Sequence, residues 1–190
     1  MAKANIRFNP DRIAYFEVAG WRAYYDRQWF KVIRLMIALV QEQFGVPFPM
    51  SLVAAYYITR ASIAWAPVEH DEAVVQQFIE KFYRVAARYA DLKIDPAQLA
   101  PLEFRYWKEH RDFSGKTEKP QYMDTMTKLH SALFGISLEQ ARESGELRVQ
   151  VTDIVDTITG HTSTDMESDW RRSEELLRQC YRSIDRVLKK

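Results

Sequence analysis

The hydrophobic and polar positions of this chain repeat with the period of an α-helix along nearly its whole length. A first helix is predicted from the cap signal Asn9-Pro10 to Phe44, where Gly45 stops it. Gly20 is the position at which so long a helix would bend or divide. The apolar stripe of this helix has nearly heptad spacing and consists of Ala14, Val18, Trp21, Tyr25, Trp29, Val32, Met36 and Val40.

The second predicted helix is apolar on every side and spans about residues 49–66. Arg60 is the only charged residue between Gln43 and Val68. Such a helix belongs inside a protein or a membrane, and a charge within it needs a partner. Because arginine in hydrocarbon is costly and no second segment of this length is present, we favour a central core helix over a membrane span. Arg60 is then expected to be buried, with Glu17 and Glu103 as candidate partners.

The rest of the chain continues the helical pattern and shows no convincing strand. Five further helices are predicted over residues 71–91, 95–112, a segment ending at 135, 137–158, and from 164 to near the C-terminus. Ser137 with Gln140, and Thr164 with Glu167, have the spacing of capping boxes. With only 6 Gly and 7 Pro in 190 residues, long helices are favoured over a turn-rich β fold. We therefore expect one all-α domain, residues 1–190, folded as a bundle of about seven helices.

Charge and cysteine content exclude several classes of partner. The net charge of +1 provides no field for nucleic acid or an anionic membrane, and the basic residues of the last helix are interleaved with acids. The single cysteine, Cys180, cannot form an internal disulfide and is expected to be a small core residue. Residues 1–8 contain no apolar stretch, so we expect no signal peptide and a cytoplasmic location.

Ionisable residues on the inward faces of several helices are the first candidate for chemistry. Glu103 and His110 lie two turns apart on one side of the fourth predicted helix, with Tyr106 between them. His130 lies on the apolar stripe of the fifth predicted helix, and Glu17 lies on the first. Glu103 and His110 are therefore candidate metal ligands or acid–base groups, and Tyr106 would orient them.

The spacing Glu103-x6-His110 resembles the first ligand helix of the heme-oxygenase-like di-iron oxidases. That resemblance implies a metal-assisted oxidation and requires a later His-x3-Asp-x2/3-His helix. His161 and Asp165 match its first two positions, but Ser168 and Asp169 stand where the last histidine would be. No Glu-x-x-His is present either, so the ferritin-like signature is missing. The metal and the cofactor are left unknown.

A structural interpretation stands beside the chemical one. Buried ionic groups are paired in most folded proteins, so Glu103, His110 and Arg60 are also explained by a salt-bridge and hydrogen-bond network that holds the fold. Asp153 and Asp156 resemble an acidic metal pair of the prenyl-transfer type, but no partner motif is present, and a solvated helix face explains them.

Aromatic residues are the second candidate, since most of them fall in the first 110 positions. A dense set of Trp and Tyr with a few charged anchors is typical of an apolar pocket, although aromatics at helical spacing also form plain core. The residues expected to bind a ligand are Arg60, Glu17, Trp21, Tyr57, Trp107 and His130.

Three hypotheses from different classes follow. The first is a small-molecule-binding helical protein with an aromatic-lined pocket anchored by Arg60, Glu103 and His110. The second is an enzyme that uses the same pocket. The third is a non-catalytic interaction module in which heptad-like stripes pair two copies as a homodimer. No nucleic-acid or membrane partner is expected.

Overall fold

The structure, a computed structural model, describes residues 6–190 and contains no β-strand within them. The prediction that the chain has no signal peptide concerns in part Met1–Asn5, which lie outside the described residues. Eight helices cover most of this range: α1 Pro10–Tyr25, α2 Trp29–Phe44, α3 Met50–Trp65, α4 Glu72–Ala86, α5 Pro96–Phe113, α6 Pro120–Phe134, α7 Leu138–Thr159 and α8 Met166–Leu188. The all-α prediction is confirmed, but the expected number of seven helices is wrong by one.

Each helix packs mainly against its two neighbours along the chain, and α8 packs against α1. The eight helices therefore form a closed ring. Helices α1 and α8 run in opposite directions, since Arg182 contacts Asp11 at the start of α1 and Glu167 contacts Arg22 near its end.

Side-chain caps fix the start of several helices where the sequence predicted them. Asn9, Asp71 and Asp95 each accept hydrogen bonds from backbone N–H groups of the first turn of α1, α4 and α5. Ser137 and Gln140 form the expected capping box at α7. These caps satisfy N–H groups that have no partner within their own helix.

The long first helix divides at residues 26–28, not at Gly20. Arg27 has a positive φ of 57°, and Gln28 donates its backbone N–H to the carbonyl of Ala23 at 2.8 Å. Gly20 instead lies inside α1, where a Cβ would come within 2.8 Å of the Met36 side chain in α2. Glycine at this position leaves room for the end of the Met36 side chain between α1 and α2.

The prediction that the apolar helix lies at the centre is wrong. The buried side of α3 consists of small residues, namely Ser51, Ala54, Ala55, Thr59 and Ala61. These side chains allow α3 to approach α2 and α4 closely, while Leu52, Tyr56 and Ile63 are exposed on its outer side. The uniform apolarity of α3 thus combines small residues, which are fully buried, with large residues that are partly or mostly exposed.

The start of α8 also differs from the expectation. Asp165, one residue after the predicted cap Thr164, accepts the N–H of Ser168 at 3.0 Å. The helix therefore begins one residue later, and Met166 lies in its first turn with 54% of its surface exposed. Trp170, Leu177, Tyr181 and Ile184 form the buried side of α8.

Within residues 6–190, none of the helices combines the length and the apolar character that crossing a bilayer requires.

Candidate functional site

The ring of helices encloses a cavity of about 440 Å³. All eight helices contribute to its wall, and the lining is rich in aromatic rings, among them Trp21, Tyr24, Trp65, Phe82, Tyr83, Tyr106 and Trp107. Tyr25 and Ser114 line the cavity and are also exposed, so the cavity reaches solvent between the C-terminal ends of α1 and α5. Arg148, His130 and Tyr181 are buried and lie at its inner part.

One side of α5 forms a continuous wall of this cavity. Glu103, Tyr106, Trp107 and His110 follow one another at helical spacing and all line it. Asp95 and Pro96 fix where α5 begins and so set the register of these four side chains. The sequence prediction that Glu103, Tyr106 and His110 share one face is confirmed.

The inner part of the cavity contains a buried ion pair between Glu17 of α1 and Arg148 of α7. Tyr181 of α8 donates its hydroxyl hydrogen to Glu17 Oε1 at 2.7 Å. The guanidinium of Arg148 lies over the ring of Trp21 at 4.9 Å and over that of Tyr106 at 5.5 Å. The charge of Arg148 is thus balanced by Glu17, and its guanidinium lies near two aromatic rings.

The electrostatics of this pair follow from burial and charge. Burial favours neutral Arg148, but the charge of Glu17 together with contributions from Tyr106, Tyr181 and Cys180 outweighs burial, and the pKa of Arg148 is raised above its usual value. Burial together with the Glu17 charge raises the pKa of the Tyr181 hydroxyl. The arginine is therefore charged and the tyrosine neutral over the physiological range.

Among residues 6–190, Glu103 accepts hydrogen bonds only from neutral groups. Tyr83 donates its hydroxyl hydrogen to Oε2 and Trp107 donates its indole N–H to Oε1, both at 2.9 Å. Burial raises the pKa of Glu103, and the two hydrogen bonds and the nearby Arg148 only partly offset this. No ion pair joins Glu103 to a cation within the described part of the chain, because Arg148 pairs with Glu17.

Nearer the mouth, His110 is held by Asp156 of α7. Its Nε2 lies 2.9 Å from Asp156 Oδ1, and Lys119 contacts the other carboxylate oxygen at 3.4 Å. Burial raises the pKa of Asp156, but the hydrogen bond and charge of His110 and the charge of Lys119 outweigh it, and that pKa is lowered. The His110 ring also stacks nearly parallel to the rings of Tyr106 and Tyr122. Asp156 is therefore not on the solvated helix face that the sequence suggested, whereas Asp153 is exposed.

His130 is a buried, neutral imidazole. The Ser144 hydroxyl donates to the carbonyl of Ala141 at 2.7 Å, so its oxygen accepts the Nδ1–H of His130 at 2.8 Å. Burial, with a smaller contribution from the charge of Arg148, lowers the pKa of His130 to about 3. The Nε2 atom of His130 therefore carries a lone pair at neutral pH.

Seven of the nine sequence-predicted site residues line the cavity: Glu17, Trp21, Glu103, Tyr106, Trp107, His110 and His130. The other two do not. Arg60 is exposed on α3, where its guanidinium lies 5.5 Å from the ring centre of Phe78, so its expected burial against Glu17 or Glu103 is wrong. Tyr57 packs near the rings of Tyr56 and Phe78, outside the cavity lining.

Sequence reasoning missed Arg148, the cation that pairs with Glu17. A signal was present, because Arg148 falls on the same stripe of α7 as Ala141, Ser144, Val151 and Val155, all of which are buried. A charge on a stripe of small and apolar residues needs an internal partner. For Arg60 the same argument gives the wrong orientation, because α3 is apolar all round and has no stripe to mark its inner side.

The residues that resemble a di-iron ligand set do not come together. His161 and Asp165 are exposed in the turn before α8, and both oxygens of Glu103 accept hydrogen bonds from Tyr83 and Trp107. Across residues 6–190, no group of three or more His, Cys, Asp and Glu side chains has an arrangement that could hold a metal ion.

Comparison of this chain with protein-family models, with curated proteins and with solved structures found no match.

Proposed function

We propose that this protein binds a small, largely apolar molecule in the cavity enclosed by its helical ring. The observation that carries the proposal is the cavity wall itself, in which several aromatic rings surround a few fixed polar groups. A volume of about 440 Å³ is in the range of sites for drug-sized ligands. The sequence suggested Arg60, Glu103 and His110 as the polar anchors of the pocket. In the present proposal Arg148 takes the role of Arg60, and Glu103 and His110 are retained.

The polar groups are held in position before any ligand arrives. Tyr83 and Trp107 fix the carboxylate of Glu103, Asp156 fixes His110, and Glu17 fixes Arg148. Groups that are already ordered lose little conformational entropy when they bind, which favours affinity.

The neutral fluorophore prodan tests this proposal, because its emission shifts to the blue in an apolar site. We expect saturable binding to the wild-type protein. Ser62→Phe and Leu39→Trp, which add bulk at two separate places on the cavity wall, should each weaken binding at least about tenfold, the factor that corresponds to about 1.4 kcal/mol. Ser168→Phe adds the same bulk as Ser62→Phe at an exposed position of α8 and should bind prodan as the wild type does.

The proposal fails if prodan does not bind, or if it binds equally well to the two cavity-filling variants and to Ser168→Phe.

A second candidate function, acid–base catalysis in the same cavity, is favoured by the His110–Asp156 pair. A histidine whose orientation is set by a carboxylate is a common general base. If this function is correct, the protein catalyses a reaction that the substitution Asp156→Asn slows, while the affinity for prodan is unchanged. Equal turnover of every substrate by wild type and variant would exclude it.

The homodimer stays a prediction that no observation favours. Four residues of the stripe that suggested it, Ala14, Val18, Val32 and Val40, are buried within the chain and are not free to pair two copies. Sedimentation at high concentration would test it, and a strictly monomeric chain would contradict it.

A cytoplasmic location is likewise a proposal. It is supported by Cys180, a lone buried thiol that donates to the carbonyl of Ser144 at 3.3 Å. Cell fractionation tests it, and recovery outside the cytoplasmic fraction would contradict it.

A further inference from the structure

We propose that the ligand of the cavity is a cation, an amine whose ammonium group pairs with the carboxylate of Glu103 against the surrounding aromatic rings. This inference rests on the proposed function and specifies its ligand class. It follows from the charges of the cavity wall, from the acceptor capacity of Glu103 and from the nature of the rings.

The charges of the wall leave one carboxylate without a cation. Three carboxylates line the cavity, namely Glu17, Glu103 and Asp156. Arg148 pairs with Glu17, and Lys119 pairs with Asp156, which also binds His110. Glu103 is the one that forms no ion pair among residues 6–190, and its hydrogen bonds come from a phenol and an indole. Ionising a carboxylate away from water without a counter-charge is costly, so a ligand cation would relieve this site.

The carboxylate has room for a further donor. An ionised carboxylate accepts about four hydrogen bonds, and Glu103 receives one on each oxygen. Tyr83 and Trp107 lock the orientation of the carboxylate, and Glu103 still lines the cavity. The remaining lone pairs are thus available to the N–H groups of an ammonium ion.

Aromatic rings of the cavity wall add to the recognition of a cation. Trp21 and Trp107, together with Tyr106, line the same cavity, and the electron-rich faces of such rings attract positive charge. A cation–π interaction of this kind is already present in the structure, since the guanidinium of Arg148 lies over the rings of Trp21 and Tyr106. The apolar body of the amine would pack against the aliphatic and aromatic remainder of the wall.

An anionic ligand fits the same wall less well. Arg148 already pairs with Glu17, and two tyrosine hydroxyls lie 3.5 Å from its Nη atoms. Arg111 donates to the carbonyls of Trp65 and Pro67 and lies over the Trp65 ring at 3.7 Å. The Nε–H of Arg148 is buried and has no partner among residues 6–190. An anion that reached it would nevertheless lie close to the carboxylate of Glu17, which already balances the charge of Arg148, and would share the cavity with Glu103.

Three straight-chain probes of equal length test the charge preference: phenylbutylamine, phenylbutanol and phenylbutyrate, each measured by displacement of prodan at neutral pH. We expect the amine to bind the wild type at least about tenfold more tightly than the alcohol, since a desolvated cation–carboxylate contact exceeds a neutral hydrogen bond. The acid should be the weakest of the three. Glu103→Gln should remove the preference for the amine, so that the amine and the alcohol bind this variant with similar affinity. Glu69→Gln, the same exchange at an exposed residue outside the cavity lining, should keep the wild-type order.

The outcomes separate this inference from the function on which it rests. If the alcohol displaces prodan from the wild type but the amine is no better than the alcohol, the cation proposal is overturned and the cavity remains a binding site. A preference for the acid, or an amine preference that survives in Glu103→Gln, also overturns it. If none of the three displaces prodan and prodan itself does not respond to the cavity-filling variants, the proposed function fails, and this inference with it.

Discussion

Because His130 is buried, it should make the stability of the folded protein depend on pH. Its pKa is about 3 in the folded protein, against an ordinary histidine value of 6.5, so below pH 6.5 the unfolded chain binds a proton that the folded chain does not. The free energy of unfolding should therefore fall on acidification between pH 6.5 and 3, by up to about 1.4 kcal/mol per pH unit.

The variant His130→Gln isolates this effect, since glutamine can hydrogen-bond to Ser144 but does not titrate. Urea unfolding at several pH values between 6.5 and 4 should show a difference between wild type and variant that shrinks as the pH falls. A difference that is constant over that range would show that His130 is protonated in the folded state or accessible to water.

The Glu17–Arg148 pair provides a second test at this scale. Arg148→Met leaves the Glu17 carboxylate in the interior without a counter-charge and should cost about 3–5 kcal/mol of unfolding free energy. Adding Glu17→Gln to that variant should restore part of the loss, because the unpaired charge is removed. Urea unfolding of both single variants and the double variant measures the coupling, and losses that merely add would contradict a direct pair.

The candidate site could be predicted at the level of single residues wherever a helix has distinct faces. Glu17, Glu103 and His110 stand on amphipathic helices, so the stripe shows which way they point. Arg60 stands on a helix without a polar face, and there the sizes of the apolar side chains decided the orientation. Whether a charge on a stripe is paired depends on a residue far along the chain, as with Glu17 and Arg148, and periodicity carries no information about that.

At the scale of helices, the contact between α6 and α7 depends on one glycine. A Cβ on Gly145 would lie 2.5 Å from the Thr127 hydroxyl oxygen and 3.1 Å from its backbone nitrogen. Gly145→Ala raises helix propensity by about 1 kcal/mol, but the clash with backbone should exceed that gain and lower the unfolding free energy by about 1–3 kcal/mol.

Gly45→Ala is the matched control for that variant. Gly45 ends α2 with a φ of 63°, and no atom lies within 4 Å of the position of its Cβ. Its replacement should therefore cost only the backbone strain of a left-handed residue, about 1–2 kcal/mol. If Gly145→Ala proves as stable as the wild type in urea, the two helices are not in close contact at this point.

Helix starts could be predicted from the sequence because caps act over three or four residues. The boundary between α1 and α2 was missed because the chain turns there without glycine or proline, with Arg27 in the left-handed region. The single glycine nearby, Gly20, serves packing and not a turn. A cap signal is local, whereas a turn that tertiary packing enforces has no comparable local signal.

At the scale of the whole molecule, the closed ring of helices leads us to expect that the chain can be joined at its ends and opened at another loop. Helices α1 and α8 lie side by side in opposite directions, so the start of α1 and the end of α8 are on the same side. A circular permutant that joins Lys190 to Met1 through a short Gly–Ser linker and opens between Thr117 and Glu118 in the exposed loop before α6 should keep every helix contact.

Such a permutant should unfold cooperatively in a thermal scan and bind prodan with the wild-type affinity. As a comparison, opening the chain inside α5 between Tyr106 and Trp107 should abolish both properties, because that cut interrupts the cavity wall. A permutant opened at the loop that fails to bind prodan would contradict the closed ring. The ring itself could not be predicted from the sequence, since it depends on which stripes meet in space.

Closure of the ring by α8 also sets an order of events during synthesis. Glu17 leaves the ribosome well before Tyr181, which donates to it and belongs to α8. Seven helices must therefore emerge with their inner sides uncovered before the eighth seals the ring. The wall of the cavity is therefore incomplete until α8 has emerged, so occupancy of the cavity would report only on chains that have reached this stage.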